Sequence, residues 1–198
     1  AVEHSAYPLE ACPLIESPPS YEELVTALRE RRSLRVFRDK PVPRETVREL
    51  IDVSRWVPSA SNAQAVNWIA VDDPAQIRRL SREVTATLGH LSRLLRNRLL
   101  RPFLYVALGR ERVEEAVESA DEFQRLADAR ARGEDPIFYQ APVVLAAHVP
   151  KRSYFGRDDA VYAAYNVMLA GERLGLGACH IGYFNVALER NEELRRLL

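Results

Sequence analysis

DDAVYAAYNVMLAGERLGLGACHIGYF, the run from Asp158 to Phe184, carries the plan of the fold. Asp158 and Asp159 place acidic charge where a helix dipole favours it, so a helix is expected over Ala160 to about Leu174. Ala160, Ala163, Ala164, Ala170 and Gly171 give it small side chains on which another helix can approach closely. Gly175 and Gly177 end it as a common C-terminal cap arrangement. Ala178 to Phe184 then reads as a strand. Gly182 inside that strand-like run marks either a bulge or the close approach of a backbone or ligand.

Working outward, Ala141 to Val149 (APVVLAAHV) is a short continuous apolar run, expected as a strand buried on both faces. Gly133, Glu134, Asp135 and Pro136 separate it from a long charged stretch over residues 74–132, rich in helix formers and interrupted by Gly89, Pro102 and Gly109. That stretch predicts two or three helices and is too long for an ordinary connection, so it is a helical excursion or a cap over a site. Val66 to Asp72 alternates and is expected as a strand. Before it, Pro43 with Val47, Leu50, Ile51 and Val53 signals a helix that must stop before Pro58. Ser20 and Glu23 form a capping-box pattern ahead of Leu24, Ala27 and Leu28, predicting a helix that ends near Arg31. Residues 1–19 contain Pro8, Pro13, Pro18 and Pro19 and read as an extended lead-in before a domain over 20–198. Strands separated by helices imply an α+β or α/β sandwich, with helices covering a small sheet.

The 198 residues carry 28 basic and 28 acidic side chains, so no net field draws the chain to nucleic acid or membrane. The aromatics are not interleaved with the arginines, which makes a nucleic-acid binder a poor reading. No apolar run approaches the roughly 20 residues needed to cross a bilayer. Cys12 and Cys179 are too few for a disulfide framework, a four-ligand zinc site or a cluster held by this chain. A reducing cytoplasm fits. The chain begins at Ala1 and stops inside a helical pattern at Leu198, and reads as a segment of something longer.

Two stretches carry candidate chemistry. Arg31, Arg32, Ser33 and Arg35 group three guanidinium forks and a hydroxyl where a helix ends, an arrangement able to hold a phosphate. Arginines near a helix C-terminus also serve the macrodipole and decorate surfaces. Pro58, Ser59, Ala60, Ser61, Asn62, Ala63 and Gln64 join a helix to a strand; Asn62 and Gln64 each offer donor and acceptor to the edge of a flat heteroaromatic ligand. The same residues are ordinary choices for a plain turn.

Taken in order, RRSLRVFRDKPV (Arg31 to Val42), VPSASNAQ (Val57 to Gln64), EDPIFYQAPVVLAAH (Glu134 to His148) and the Asp158 to Phe184 run resemble the nitroreductase-like FMN-dependent oxidoreductases over roughly residues 20–198. The resemblance implies an α+β fold, a three-layer α/β/α sandwich whose central mixed or antiparallel sheet is flanked by helices. It implies an intertwined homodimer with FMN at each subunit interface and the 160–174 helix as a central dimer element. Arg31, Arg32, Ser33 and Arg35 match family positions that contact the FMN phosphate, ribityl chain and pyrimidine edge. Pro58, Ser59, Ala60 and Asn62 match the loop contributed to the partner's flavin, and Ile181 and Gly182 match the segment beside flavin N5; Gln64, by its amide, is a further candidate for cofactor binding. Ala65 stands where many members have proline. Basic residues that finish the family's phosphate site would lie beyond Leu198.

The lead-in resembles the connector of members with an N-terminal ferredoxin-like domain; on that reading 4Fe-4S clusters lie upstream of Ala1 and Cys12 is a connector cysteine. The implied activity is ping-pong electron transfer through the flavin, from NAD(P)H or iron–sulfur clusters to a small electron-poor acceptor. No protein acid, nucleophile or metal is required of the chain. His180 is expected as a packed or surface histidine, and Tyr183 and Phe184 as core or pocket wall. The alternative is a non-catalytic flavin-binding sensor or storage module, with residues 74–132 closing over the flavin.

Overall fold

The computed structural model describes residues 17–198. The expected connector therefore lies outside the described residues except for 17–19, and Cys12 with it. The chain divides into two units: one runs to Asp72 and resumes over Ala141–His180, and the other holds Asp73–Gln140 and Ile181–Leu198.

The first unit opens with α1 (Tyr21–Glu30), whose capping box is complete: Glu23 N–H donates to Ser20 Oγ at 3.2 Å, and Ser20 N–H to Glu23 Oε2 at 2.7 Å. Two of the orphan donors of the first turn are thereby satisfied. The helix stops where Arg31 turns to extended ψ, as expected. No residue of α1 is buried, although its apolar stripe is well formed. α2 (Arg44–Val53) buries Val47 and Leu50 and tightens into a 3-10 turn over Ser54–Trp56, ahead of Pro58. Ser54 Oγ closes that turn on Ile51 O at 2.6 Å and accepts Trp68 Nε1–H at 2.9 Å, fixing the helix end against the next strand.

β1 (Asn67–Val71) pairs antiparallel with β2 (Val144–His148), with Asn67 opposite His148 and Val71 opposite Val144. β2 is not buried on both faces as expected. Val144 is buried, Leu145 to Ala147 are half-buried and His148 is exposed, because a sheet of two strands has little to cover it. α6 (Gly156–Arg173) begins a turn before the predicted start. Its buried stripe is Gly156, Asp159, Ala163, Val167 and Gly171, and α2 is the helix that packs on it. Of the small residues expected there, Ala163 and Gly171 are on the buried stripe, while Ala160, Ala164 and Ala170 are half-buried.

The second unit is built on a helical hairpin. α3 (Pro74–Arg96) is capped by Asp73, which accepts Ala75 N–H at 2.9 Å; α4 (Arg101–Leu108) leads into α5 (Arg110–Ala131). Three helices thus fill residues 74–132. Gly89 does not break α3: a Cβ there would sit 3.1 Å from Ala127 Cβ, so the glycine allows α3 and α5 to close up. Leu80, Val84, Leu88, Val113 and Ala120 are fully buried, each larger aliphatic contributing about 1.5–3 kcal/mol. Ser92 Oγ donates to Ala120 O at 2.7 Å across the hairpin.

The expected strand over Ala178 to Phe184 is not there. Ala178 makes an isolated parallel bridge with Ser33, while Gly182 opens α7 (Gly182–Arg190), followed by α8 (Glu192–Arg196). The reason is packing within the second unit: Phe184 meets Phe138 edge-on at 5.2 Å, and Tyr183 meets Phe123 at 5.9 Å. The helix presents both aromatics to that core, and tertiary contact overrides β-propensity. Asn191 separates the two helices; its carboxamide donates to Thr87 Oγ1 at 2.8 Å and accepts Leu194 N–H at 3.0 Å. The class is α+β, mostly helical with a small antiparallel sheet. Among the described residues no helix is long and apolar enough to cross a membrane.

Candidate functional site

Beyond α1 the chain runs extended, and Leu34 N–H donates to Ala178 O at 3.0 Å. This bond lays the arginine segment along the exit of α6. The contact is tight: a Cβ on Gly177 would fall 2.7 Å from Leu34 Cδ1 and 3.1 Å from Leu34 Cβ, so a side chain at position 177 would have to displace Leu34. Gly175, at φ 72°, makes the left-handed turn that ends the helix. Glu30 and Arg173 pair at 2.7 Å and tie the ends of α1 and α6 together.

A small, shallow cleft with a cavity volume of about 20 Å³ results, lined by Arg31, Arg32 and Leu34 and by Met168, Glu172 and Gly177. Arg31 is half-buried; Arg32, Ser33 and Arg35 are exposed. Arg32 donates to the carbonyls of Arg29 and, at 3.0 Å, Arg31, so its guanidinium satisfies acceptors left open by the last turn of α1. The capping reading holds for Arg32, which also lines the cleft, and Arg31 lines the cleft beside it. Glu172 Oε2 is buried there with no hydrogen-bond partner. Ser33 and Arg35 do not line the cleft.

The Pro58–Gln64 loop does not line it either. It folds as a 3-10 turn over Ala60–Asn62, with Asn62 N–H on Ser59 O at 2.9 Å and Ala63 N–H on Ala60 O at 3.1 Å. Ser59 Oγ accepts Gln64 N–H at 3.0 Å. Ser61, Asn62 and Gln64 have φ of 55°, 53° and 47°, left-handed conformations that cost non-glycine residues on the order of 1–3 kcal/mol each. Ala60 N–H donates to Asp159 Oδ1 at 3.2 Å, which ties the loop to the start of α6. The arginine cluster and the loop therefore stand at opposite ends of one helix. Asp159 and Glu172 are separated along it by about 20 Å at the usual rise per residue.

Ile181 and Gly182 belong to the second unit. Gly182 is exposed, and a Cβ there would meet nothing within 4 Å, so its place does not depend on a close approach. As the first residue of α7 it contributes one of the N–H groups a helix start leaves unpaired, with no acidic side chain in that first turn. Burial, then the nearby Glu122, pushes the Tyr183 phenol above its usual range, so Tyr183 is protonated at neutral pH and offers no base beside Gly182. His180 is exposed.

Sequence reading missed Asp159, Glu172 and the Leu34–Gly177 contact. A signal for Asp159 exists: it stands four, eight and twelve residues before Ala163, Val167 and Gly171, the buried stripe of α6. An acid on such a stripe is out of place unless it has work to do.

Residues 28–198 match the family model described as "Nitroreductase family". Among solved structures, the chain is similar to a nitroreductase with bound FMN from Bacteroides fragilis, at 17% identity and TM-score 0.63, covering 89% of this chain and 78% of that one. A BluB-like flavoprotein from Clostridium difficile is similar at 18% identity and TM-score 0.62, covering 88% and 80%. The FMN-dependent nitroreductase NfnB from Mycobacterium smegmatis, in complex with NADPH, is 25% identical with TM-score 0.53, covering 84% and 80%. A search of curated proteins found no match. With the family match spanning nearly the whole described chain, this protein belongs to the nitroreductase family of oxidoreductases.

Proposed function

We propose that the chain is an FMN-dependent oxidoreductase that works as a cytoplasmic homodimer, passing electrons from NAD(P)H to a small electron-poor acceptor by a ping-pong scheme. The observation that carries this reading is the cleft at the end of α1, where Arg31 and Arg32 converge over the exit of α6. The charged fork of Arg31, with the donors that Arg32 does not spend on the α1 carbonyls, suits a phosphate. The lining group that opposes an anion is the unpartnered Glu172 carboxylate, so a phosphate would lie on the far side of the guanidiniums from it.

The FMN named in the Bacteroides fragilis structure supports the choice of cofactor, and the NADPH named in the Mycobacterium smegmatis one supports the donor. When bound, the flavin supplies the redox chemistry. The chain's own groups would bind and orient it: Arg31, Arg32, Ser33 and Arg35 at the phosphate end, the Pro58–Gln64 loop at the ring, and the Gly182 N–H as a donor toward the ring's reactive nitrogen. Distance supports the homodimer. Loop and arginines serve one flavin most simply if each protomer lends its loop to its partner, since about 20 Å of helix separates them within a chain. α1 supports the same arrangement: Leu24 and Leu28 are 51% and 41% exposed, and no residue of that helix is buried among the described residues.

Titration of the flavin-free protein with FMN, read by quenching of flavin fluorescence, tests the reading. Wild type should bind, and Arg31→Ala should weaken binding by about 1–3 kcal/mol, the range for hydrogen bonds to charged groups. Equal affinity in both, or no binding by wild type, would overturn it. Anaerobic bleaching of the bound flavin by NADPH, and parallel double-reciprocal plots with a quinone acceptor, are the expected signs of the donor and the scheme. Reduction by dithionite alone would move the donor role to an upstream iron–sulfur segment.

A further inference from the structure

Asp159 is an expensive residue where it stands. It is 3% exposed, lies on the α6 stripe otherwise made of Gly156, Ala163, Val167 and Gly171, and forms no ion pair among the described residues. Burying a carboxylate without a counter-charge is unfavourable, and a small apolar residue would fill the same stripe. The dipole of α6 does not account for it, because Asp158 supplies first-turn charge from the exposed side of the helix.

What distinguishes Asp159 is its partner. Oδ1 accepts the Ala60 N–H at 3.2 Å, while Oδ2 is buried with no donor. The other bonds of the turn, among Ser59, Ala60, Asn62, Ala63 and Gln64, run within the loop itself. They hold its shape but do not hold it in place. A turn with left-handed Ser61, Asn62 and Gln64, none of them glycine, keeps that shape only where its surroundings fix it.

We infer that Asp159 is a positioning residue: its buried carboxylate pins the Pro58–Gln64 turn to α6 and so presents Asn62 and its neighbours to the flavin. The inference deepens the function proposed above and rests on it for the identity of the ligand, but not for the pinning itself. Asp159 acts through the Ala60 amide and needs no contact with flavin or substrate.

Three full-length variants test it, each followed by hydrogen exchange of the loop amides and by FMN titration. Asp159→Ala removes the acceptor; amides over residues 60–64 should exchange about tenfold faster and the FMN dissociation constant should rise about tenfold, the scale of one lost hydrogen bond. Asp159→Asn keeps an oxygen for the Ala60 N–H and should stay within about threefold of wild type in both readouts. Ala60→Pro deletes the donor and leaves the acid in place. Ser59 is already extended and position 60 opens a 3-10 turn, so proline is tolerated there, and its effect on the amides of residues 61–64 and on FMN affinity should match Asp159→Ala. Amides of α3 and α5 should not change in any variant. Equal losses in the Asn and Ala variants, or loop exchange in Asp159→Ala no faster than wild type, would overturn the inference. If wild type fails to bind FMN while the exchange pattern holds, the functional reading falls and the pinning stands.

Discussion

The two units differ in how far each completes its own core. The hairpin of α3 and α5 buries Leu80, Val84, Leu88 and Val113 completely, reinforced by Ser92 and by the aromatics of α7. The unit that carries the arginine cluster buries nothing of α1 and leaves its two strands half-covered. Apolar area removed from water is the main source of stability, so the second unit has the more complete core, while α1 of the first leaves an apolar stripe with no residue buried among the described residues. In the proposed homodimer the partner covers that stripe.

Substitutions separate the two cases. Leu88→Ala should have the largest effect, costing about 2–5 kcal/mol of unfolding free energy, because the hairpin cannot collapse around the void; urea denaturation checks it, and a loss below about 1 kcal/mol would show a looser core. Next is Gly177→Val, which forces Leu34 off the α6 exit and should cost about 1–3 kcal/mol while loosening FMN binding. Leu28→Ala should change the unfolding of dilute protein by less than about 1 kcal/mol, as for an exposed position, yet weaken self-association in sedimentation equilibrium. If it unfolds the protomer as readily as Leu88→Ala, the contrast between the units is wrong. The smallest effect concerns alkaline pH. The raised Tyr183 phenol, set by burial and then Glu122, gives stability present below the ordinary tyrosine range and lost as pH climbs through its folded value. Tyr183→Phe should remove one late-ionising phenol from the ultraviolet titration and flatten that alkaline loss.

Where the controlling interactions are local, the sequence was readable. Ser20 and Glu23 announce α1, Pro43 opens α2, and the alternation after Val66 gives β1, because capping, proline geometry and strand period act within a few residues. The family-specific segments also announced themselves in order. Contacts between distant residues were not legible. Gly89 looks like a breaker until Ala127 is found against it. Gly182 looks like a strand glycine until Phe138 and Phe123 draw the following aromatics into a helix. Asp159 looks like an ordinary first-turn acid until its i+4 partners prove buried and Ala60 lies above it.

One consequence of α6 reaches past a single site. Its last turns, with Met168 and Glu172, floor the arginine cleft, and its first turn, with Asp159, holds the loop. In the homodimer proposed here those two features serve different flavins, so each α6 is a beam with one end in each pocket. A displacement of the helix along its axis would disturb both together. Loading one pocket would then change the stiffness of the other, and the dimer would titrate with FMN as a coupled pair.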